Sequence, residues 1–172
     1  MQKELRLSGS GGQGLILAGV IMAEAALLDG KRAVQSQSYG PEARGGASKA
    51  EVIISDSEID FIKVQNCDML LCLTQVAYDR YAKDHNTILI VDDSIDLKHP
   101  APAKIVKIPI IETAAEKIGR VMVANIVALG AINATLNLVS KEAMEKAVLN
   151  RVPKGTEELN KKALEFGYGL VG

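Results

Sequence analysis

The chain has 172 residues, enough for one domain with a proper core, and its 48% content of hydrophobic residues excludes a disordered chain. The formal net charge is -1 and no basic run stands out, so nothing in the composition indicates a nucleic-acid-binding protein. Tryptophan is absent and aromatic residues make up only 3%, which argues against recognition of bases by stacking.

The chain opens with a short strand. No long apolar segment of a signal peptide precedes it, which predicts a cytoplasmic protein. Residues 3–8 alternate polar and apolar side chains, with Glu4 and Arg6 alternating with Leu5 and Leu7. This alternation predicts a strand with one face outside the core.

A glycine loop joins this strand to a long apolar run. Gly9, Gly11 and Gly14 follow the G-x-G-x-x-G spacing, and the loop also contains Gly12 and Gln13. Glycine is needed where the backbone turns with positive φ or where another group comes close, so we expect valine at Gly11 or Gly14 to disturb the turn. The amides that open the next helix favour a phosphate or carboxylate. The loop is therefore either an anion site or a tight turn without a small ligand.

NAD binding is disfavoured by the second strand. A dinucleotide-binding domain needs an acidic residue at the end of that strand, about 20 residues after the glycine loop. The second strand is predicted over residues 32–36, and Gln37 and Ser38 follow it where the carboxylate is required.

The first helix is predicted over residues 13–29. Glu24 is its only charged residue before Asp29, so we expect the helix to be covered nearly all round. Gly30 follows as its C-terminal stop.

A long polar loop follows the second strand. Long loops without secondary structure tend to be functional or disordered. If the first two strands are parallel, this loop and the glycine loop leave the same edge of the sheet, where sites in open α/β sheets form. Tyrosine, arginine and close-approach glycines set this loop apart from ordinary surface. The candidate interface or ligand residues are Tyr39, Glu42, Arg44, Gly45 and Gly46.

The middle of the chain predicts strands over residues 50–55, 68–73 and 87–91, a helical turn over 59–64 and a helix over 75–84. Asp92 and Asp93 follow the last of these strands. Metal binding by this pair is disfavoured because no further ligands lie nearby in sequence, and a solvated loop is favoured instead. His85 and His99 have no partner visible in the sequence.

The two cysteines are predicted to be structural. Cys72 lies in an apolar strand and is predicted to belong to the core. Two cysteines, Cys67 and Cys72, are too few for a disulfide framework or for an iron–sulfur cluster, which usually takes four thiolates.

The C-terminal part predicts a strand over residues 104–108 and helices over 112–119, 121–139, 141–150 and 157–166. Ser140 and Thr156 are the predicted caps of the last two helices, and Gly167 is the predicted stop. The apolar runs 15–28 and 121–139 are respectively too short and too interrupted for a membrane span, so both are predicted to pack on a sheet. The asparagines of the second run need partners, from a helix bundle or another subunit.

The two loops together resemble those of the gamma subunit of 2-oxoacid:ferredoxin oxidoreductases. The residues that carry the resemblance are the glycine loop, residues 9–14, and the Ser-Tyr-Gly…Arg-Gly-Gly stretch, residues 38–46. It extends to the strand 51–55 and to the helix containing Asn125 and Gly130, and so covers nearly the whole chain. The second loop is most similar to the 2-oxoglutarate branch, with the pyruvate and branched-chain branches close.

The element order and this resemblance predict an α/β fold: one Rossmann-like three-layer domain over residues 1–172, with a mostly parallel sheet and helices on both faces. The resemblance implies a complex that decarboxylates a 2-oxoacid, passes the acyl group to coenzyme A and reduces ferredoxin. Thiamine diphosphate, Mg and iron–sulfur clusters serve that complex, and we expect this chain alone to bind none of them and to be inactive. The implied partners are alpha, beta and ferredoxin-like delta subunits.

Three alternatives stay open. The chain belongs to the pyruvate or branched-chain enzyme, is a stand-alone nucleotide- or anion-binding module, or is a purely structural scaffold. The glycine loop contacts coenzyme A, another anion or a partner subunit. The isolated chain is a monomer or a homodimer.

Overall fold

The computed structural model describes residues 1–37, 46–83, 87–98 and 104–172. Within these ranges, six strands form one sheet in the order β2-β3-β1-β4-β5-β6. The strands are β1 (Gln2–Gly9), β2 (Arg32–Gln37), β3 (Ser48–Ser55), β4 (Met69–Cys72), β5 (Ile88–Asp92) and β6 (Lys104–Ile108). The helices are α1 (Leu15–Leu28), α2 (Gln75–Tyr81), α3 (Ile110–Glu112), α4 (Ala124–Leu136), α5 (Lys141–Arg151) and α6 (Glu157–Val171).

The sheet is mostly parallel, as predicted. β1, β4, β5 and β6 are parallel neighbours. β3 runs antiparallel to both β1 and β2, so β2 points in the same direction as β1. The loop that follows β2 and the glycine loop that follows β1 therefore leave the same edge of the sheet, as required for a shared site.

Helices lie on both faces of the sheet, which confirms the three-layer prediction, but the layers are unequal. One apolar cluster joins alternate strand residues such as Leu5, Leu7 and Leu71 to α1 and α3–α6. The cluster on the opposite face is smaller and includes Cys72 and Tyr78, the latter from α2. The alternation of polar and apolar side chains in β1 follows from this difference. Its apolar side chains face the larger cluster, and its polar side chains face polar groups on the other side of the sheet.

Helix α1 packs on the sheet as an apolar helix with one ion pair. Its single interior charge, Glu24, pairs with Arg151 of α5 at 3.5 Å. Gly30 ends the helix with φ 77, as predicted, and the Lys31 amide closes the cap on the Ala26 carbonyl. The expectation of nearly complete cover is wrong at the C-terminal end, where Leu27 is exposed.

Two glycines bring α4 and α6 into close contact. A Cβ added at Gly130 would lie 2.4 Å from the Leu164 carbonyl oxygen, and one added at Gly167 would lie 2.0 Å from the Val127 carbonyl oxygen. The predicted helix stop at Gly167 is therefore wrong, because this glycine lies inside a helix that continues to Val171.

Three other local features differ from prediction. Residues 59–64 contain no helical turn. The helix predicted over 112–119 begins at Ile110 and continues from Thr113 to Ile118 as a π-helix. Thr156 precedes α6 without capping it, because its hydroxyl donates to the Pro153 carbonyl instead. The other predicted cap, Ser140, accepts a hydrogen bond from the Ala143 amide.

The asparagines of α4 find partners within the chain. The Asn133 amide group donates to the Val139 carbonyl and to the Tyr168 hydroxyl, and its oxygen accepts from the Val139 amide. Asn137 ends the helix in the left-handed conformation with φ 50. In the described parts of the chain, no helix is both long and apolar enough to cross a membrane.

Candidate functional site

The carboxyl edge of the parallel strands collects the loops of interest. Gly9, at the end of β1, pairs with Ser48, at the start of β3, and Gln37 of β2 pairs with Ala50. The Leu73 amide, just after β4, donates to the Ser8 carbonyl. Sites in open α/β sheets form outside this edge.

The glycine loop is a tight turn held by its own side chain. Gly12 has φ 85 and Gly14 has φ 73, a region that favours glycine. The Gln13 side-chain oxygen accepts a hydrogen bond of 2.7 Å from the Ser10 amide. A Cβ at Gly9 would lie 2.2 Å from that oxygen, so Gly9 must be small for Gln13 to fold back.

Gly11 differs from its neighbours, and the expectation that it must be glycine is wrong for the fold. It has no positive φ, and a Cβ added there would meet nothing within 4 Å. Gly11 and Gly12 are exposed at the tip of the loop. The tip is therefore available to a ligand or partner without any change to the turn.

Sequence patterns did not reveal that Asn125 completes the glycine loop. Its side-chain nitrogen donates to the Gly14 carbonyl at 3.1 Å, and its oxygen accepts from the Ile126 amide at 2.9 Å. A Cβ at Gly14 would lie 2.5 Å from the Asn125 nitrogen. The only sequence signal was a buried amide in an apolar helix, which required some partner.

Large apolar side chains are exposed beside the glycine loop. Ile16, in the first turn of α1, is 40% exposed. Val121 and Met122, within one turn before Asn125, are 55% and 80% exposed. Exposed apolar side chains of this size near a loop are typical of protein interfaces. We call Ile16, Val121 and Met122 the apolar rim.

The second loop is only partly within the described residues. Tyr39, Glu42, Arg44 and Gly45 lie outside them. Gly46 is exposed with φ 81, and a Cβ added there would lie 3.9 Å from Val76 at the start of α2. The positive φ alone favours glycine at this position. The predicted role of Gly46 at an interface or ligand stays a prediction.

A polar cluster on the α2 face of the sheet also escaped the sequence patterns. The Arg6 guanidinium pairs with the Glu51 carboxylate at 2.7 Å, and Lys49 lies 3.9 Å from the same oxygen. The Tyr81 ring covers the cluster, with Arg6 and Lys49 at 5.8 and 5.7 Å from its centroid. Arg6 and Glu51 are 45 positions apart in sequence, and the pairing of β1 with β3 brings them together.

The remaining candidate ligands serve the fold. Both Asp92 carboxylate oxygens accept hydrogen bonds, one from the Ile111 amide and the other from Ser94. Asp92 is buried and anchors the loops, so the predicted solvated loop is wrong for this residue, whereas Asp93 is exposed as predicted. Within the described ranges, no three His, Cys, Asp or Glu residues form a group that could hold a metal ion. His85 and His99 lie outside these ranges.

The cysteine thiols do not suit a cluster. Burial raises the pKa of Cys72 to about 12, and burial raises the pKa of Cys67 to about 11. Iron–sulfur clusters are usually held by four cysteine thiolates, whereas this chain has two cysteines. Cys72 is a buried strand residue, as predicted.

The chain belongs to the pyruvate ferredoxin/flavodoxin oxidoreductase family, whose model matches residues 4–170. The solved structure of a keto/oxoacid ferredoxin oxidoreductase gamma subunit from Geobacter sulfurreducens PCA matches with a TM-score of 0.87 and 55% identity, covering 99% of this chain and 97% of that one. These matches confirm the predicted class, a gamma subunit of this oxidoreductase family.

Two relatives come from one organism, Methanocaldococcus jannaschii. The 2-oxoglutarate synthase subunit KorC is 56% identical over 177 residues, covering 99% of this chain and 95% of that protein. The pyruvate synthase subunit PorC is 31% identical over 175 residues, covering 96% and 94%. This chain is therefore more similar to the 2-oxoglutarate than to the pyruvate protein of that organism.

Proposed function

We propose that this chain is the gamma subunit of a 2-oxoglutarate:ferredoxin oxidoreductase. The observation that carries the proposal is the 56% identity to a 2-oxoglutarate synthase subunit over the whole chain, against 31% to the pyruvate counterpart of the same organism. The assembled enzyme converts 2-oxoglutarate and coenzyme A to an acyl-CoA and carbon dioxide, and it passes two electrons singly to ferredoxin.

The chain contributes a docking surface to that complex rather than redox chemistry. Its two cysteines are too few for an iron–sulfur cluster, which usually takes four thiolates. In this proposal thiamine diphosphate, Mg and the clusters belong to the alpha, beta and ferredoxin-like delta subunits, and the isolated chain is inactive.

The glycine loop contacts a partner subunit in this proposal. Its Ser10 amide already donates to the Gln13 side chain, so that amide is not available to a phosphate. The exposed loop tip lies beside the apolar rim, and an apolar rim favours a protein surface over the polyanionic end of coenzyme A.

Reconstitution tests the proposed function. The chain is coexpressed with the alpha, beta and delta subunits, and reduction of a viologen dye is measured with coenzyme A and each of 2-oxoglutarate, pyruvate and 2-oxoisovalerate. We expect activity with 2-oxoglutarate only in the complete complex. Activity of the isolated chain, or a preference for pyruvate, would contradict the proposal.

Variants of Arg44 distinguish docking to another subunit from binding of a ligand. Arginine binds carboxylate or phosphate with two parallel hydrogen bonds, and lysine keeps only the charge. We expect Arg44→Lys to weaken binding of the other subunits or of coenzyme A. Arg44→Ala should weaken the same binding by about thirtyfold, equivalent to about 2 kcal/mol. A change in the affinity for the other subunits indicates docking, whereas a change in the KM for coenzyme A indicates a ligand contact. No change in either would make this loop ordinary surface.

A further inference from the structure

The free edge of β2 borders a groove far from the glycine loop. In the part of the chain that the structure describes, β2 ends the sheet order on one side. A cavity of about 330 Å³ is lined by the consecutive residues Arg32, Ala33 and Val34 and by the segment from Glu58 to Asp60. Consecutive strand residues point to opposite faces, so a cavity that touches all three lies along the edge of the strand.

This edge carries few of the features that prevent pairing with another chain. After Arg32, the strand Arg32–Gln37 contains no charged residue and no proline. The other edge of the sheet, β6, carries Lys104 and Lys107, and lysine on an edge strand discourages such pairing. The two edges therefore differ, and β2 is the edge suited to receive a strand.

The acidic wall of the groove, Glu58 and Asp60, determines the charge of its occupant. Among the described residues that line the groove, Arg32 is the only cation. A matching segment therefore carries basic residues toward the two carboxylates.

We propose that an extended, basic segment of a partner subunit adds to the free edge of β2 as a seventh strand. Addition of a strand to a sheet edge gives main-chain hydrogen bonds, and the acidic wall selects the segment by charge. A second copy of this chain fits less well, because two-fold pairing of β2 would bring two acidic walls to one interface. The proposal rests on the proposed function in that another subunit of the complex supplies the strand.

Hydrogen exchange tests the strand directly. Amide exchange in residues 32–36 is compared between the isolated chain and the reconstituted complex. We expect exchange of the outward-facing amides to slow by about tenfold or more in the complex, because they gain hydrogen-bond partners. If the complex forms and β2 exchange is unchanged, this inference is overturned while the proposed function stands. If no complex forms, both fail.

Charge variants test the acidic wall. We expect Glu58→Gln with Asp60→Asn to weaken association by about three- to tenfold and to reduce its dependence on salt. The matched control, Glu116→Gln with Glu158→Gln, removes the same charge from exposed positions on the helices and should leave association unchanged. Equal effects of the two double variants would overturn the role of the wall. Protection of β2 in a homodimer of the isolated chain would identify a second copy as the occupant and overturn the partner strand.

Discussion

Gly11 and Gly14 lie three residues apart in one loop, but the fold constrains them differently. Gly14 combines φ 73 with a Cβ position 2.5 Å from the Asn125 side chain. Gly11 has neither constraint. The spacing of glycines predicted the loop, but it could not tell which glycines the backbone requires.

A pair of alanine variants measures this difference. We expect Gly14→Ala to reduce the free energy of unfolding by about 1–3 kcal/mol, because a left-handed backbone is costly with a Cβ and Asn125 must move. Gly11→Ala should change it by less than about 0.5 kcal/mol. Urea denaturation of both isolated chains measures the two values. Equal destabilisation would contradict the separate roles.

The buried thiols make the fold sensitive to high pH. Burial raises the pKa of Cys72 from 9.0 to about 12 and that of Cys67 from 9.0 to about 11. The folded chain therefore holds protons that the unfolded chain releases near pH 9, so stability is complete below pH 9 and decreases as the pH rises toward 11 and 12.

We expect the free energy of unfolding to fall by about 1–3 kcal/mol between pH 8 and pH 10. A variant with Cys67→Ala and Cys72→Ala should be less stable at pH 8, because it loses core packing, but its stability should vary less with pH. Urea titrations at both pH values give the comparison, and an equal pH dependence in the two proteins would exclude the thiols as its cause.

At the scale of elements, sequence periodicity was a good guide to strands and a poorer guide to helix ends. The strand predicted over residues 104–108 matches β6, because a β-branched apolar run bounded by proline has few alternatives. Gly167 misled the prediction of the end of α6, because a glycine that stops a helix and one that lets two helices approach look the same in sequence. The cluster of Arg6, Glu51 and Tyr81 was hidden for another reason: it depends on strand pairing across the sheet.

Gly167 and Gly169 test the close contact between α4 and α6. A Cβ at Gly167 would meet the Val127 carbonyl, whereas one at Gly169 would meet nothing within 4 Å. We therefore expect Gly167→Ala to destabilise the chain by about 1–3 kcal/mol through overpacking. Gly169→Ala should stabilise it by up to about 1 kcal/mol through helix propensity. Thermal melts of both variants check the opposite signs, and a shared sign would contradict the contact.

At the scale of the whole molecule, the family was predictable from two loops because they combine into one specific pattern. The direction of β2 was not predictable, since it depends on the reversed strand β3 between β2 and β1. The apolar rim was also missed, because exposure of an apolar residue is set by which neighbours the fold supplies.

We expect a substitution in the apolar rim to impair assembly of the complex without affecting the fold of the chain. Met122 is 80% exposed, so we expect Met122→Asp to leave the melting temperature of the isolated chain unchanged and to weaken its association with the other subunits by about tenfold or more. The control is Leu27→Asp, which introduces the same charge at a residue that is 58% exposed. Leu27 lies at the C-terminal end of α1, away from the glycine loop. Equal effects on assembly would mean that the rim is not the docking surface.

The central position of β1 has a consequence for synthesis on the ribosome. β1 emerges first, and its partner β3 follows, but its parallel partner β4 lies further along the chain, with Asp68 64 positions after Glu4. At about 5–20 residues per second, β1 waits roughly 3–13 s for β4. During this interval its apolar residues, Leu5 and Leu7, lack part of their native cover. Nascent chains stalled before β4 should therefore bind holdase chaperones more strongly than chains stalled after it.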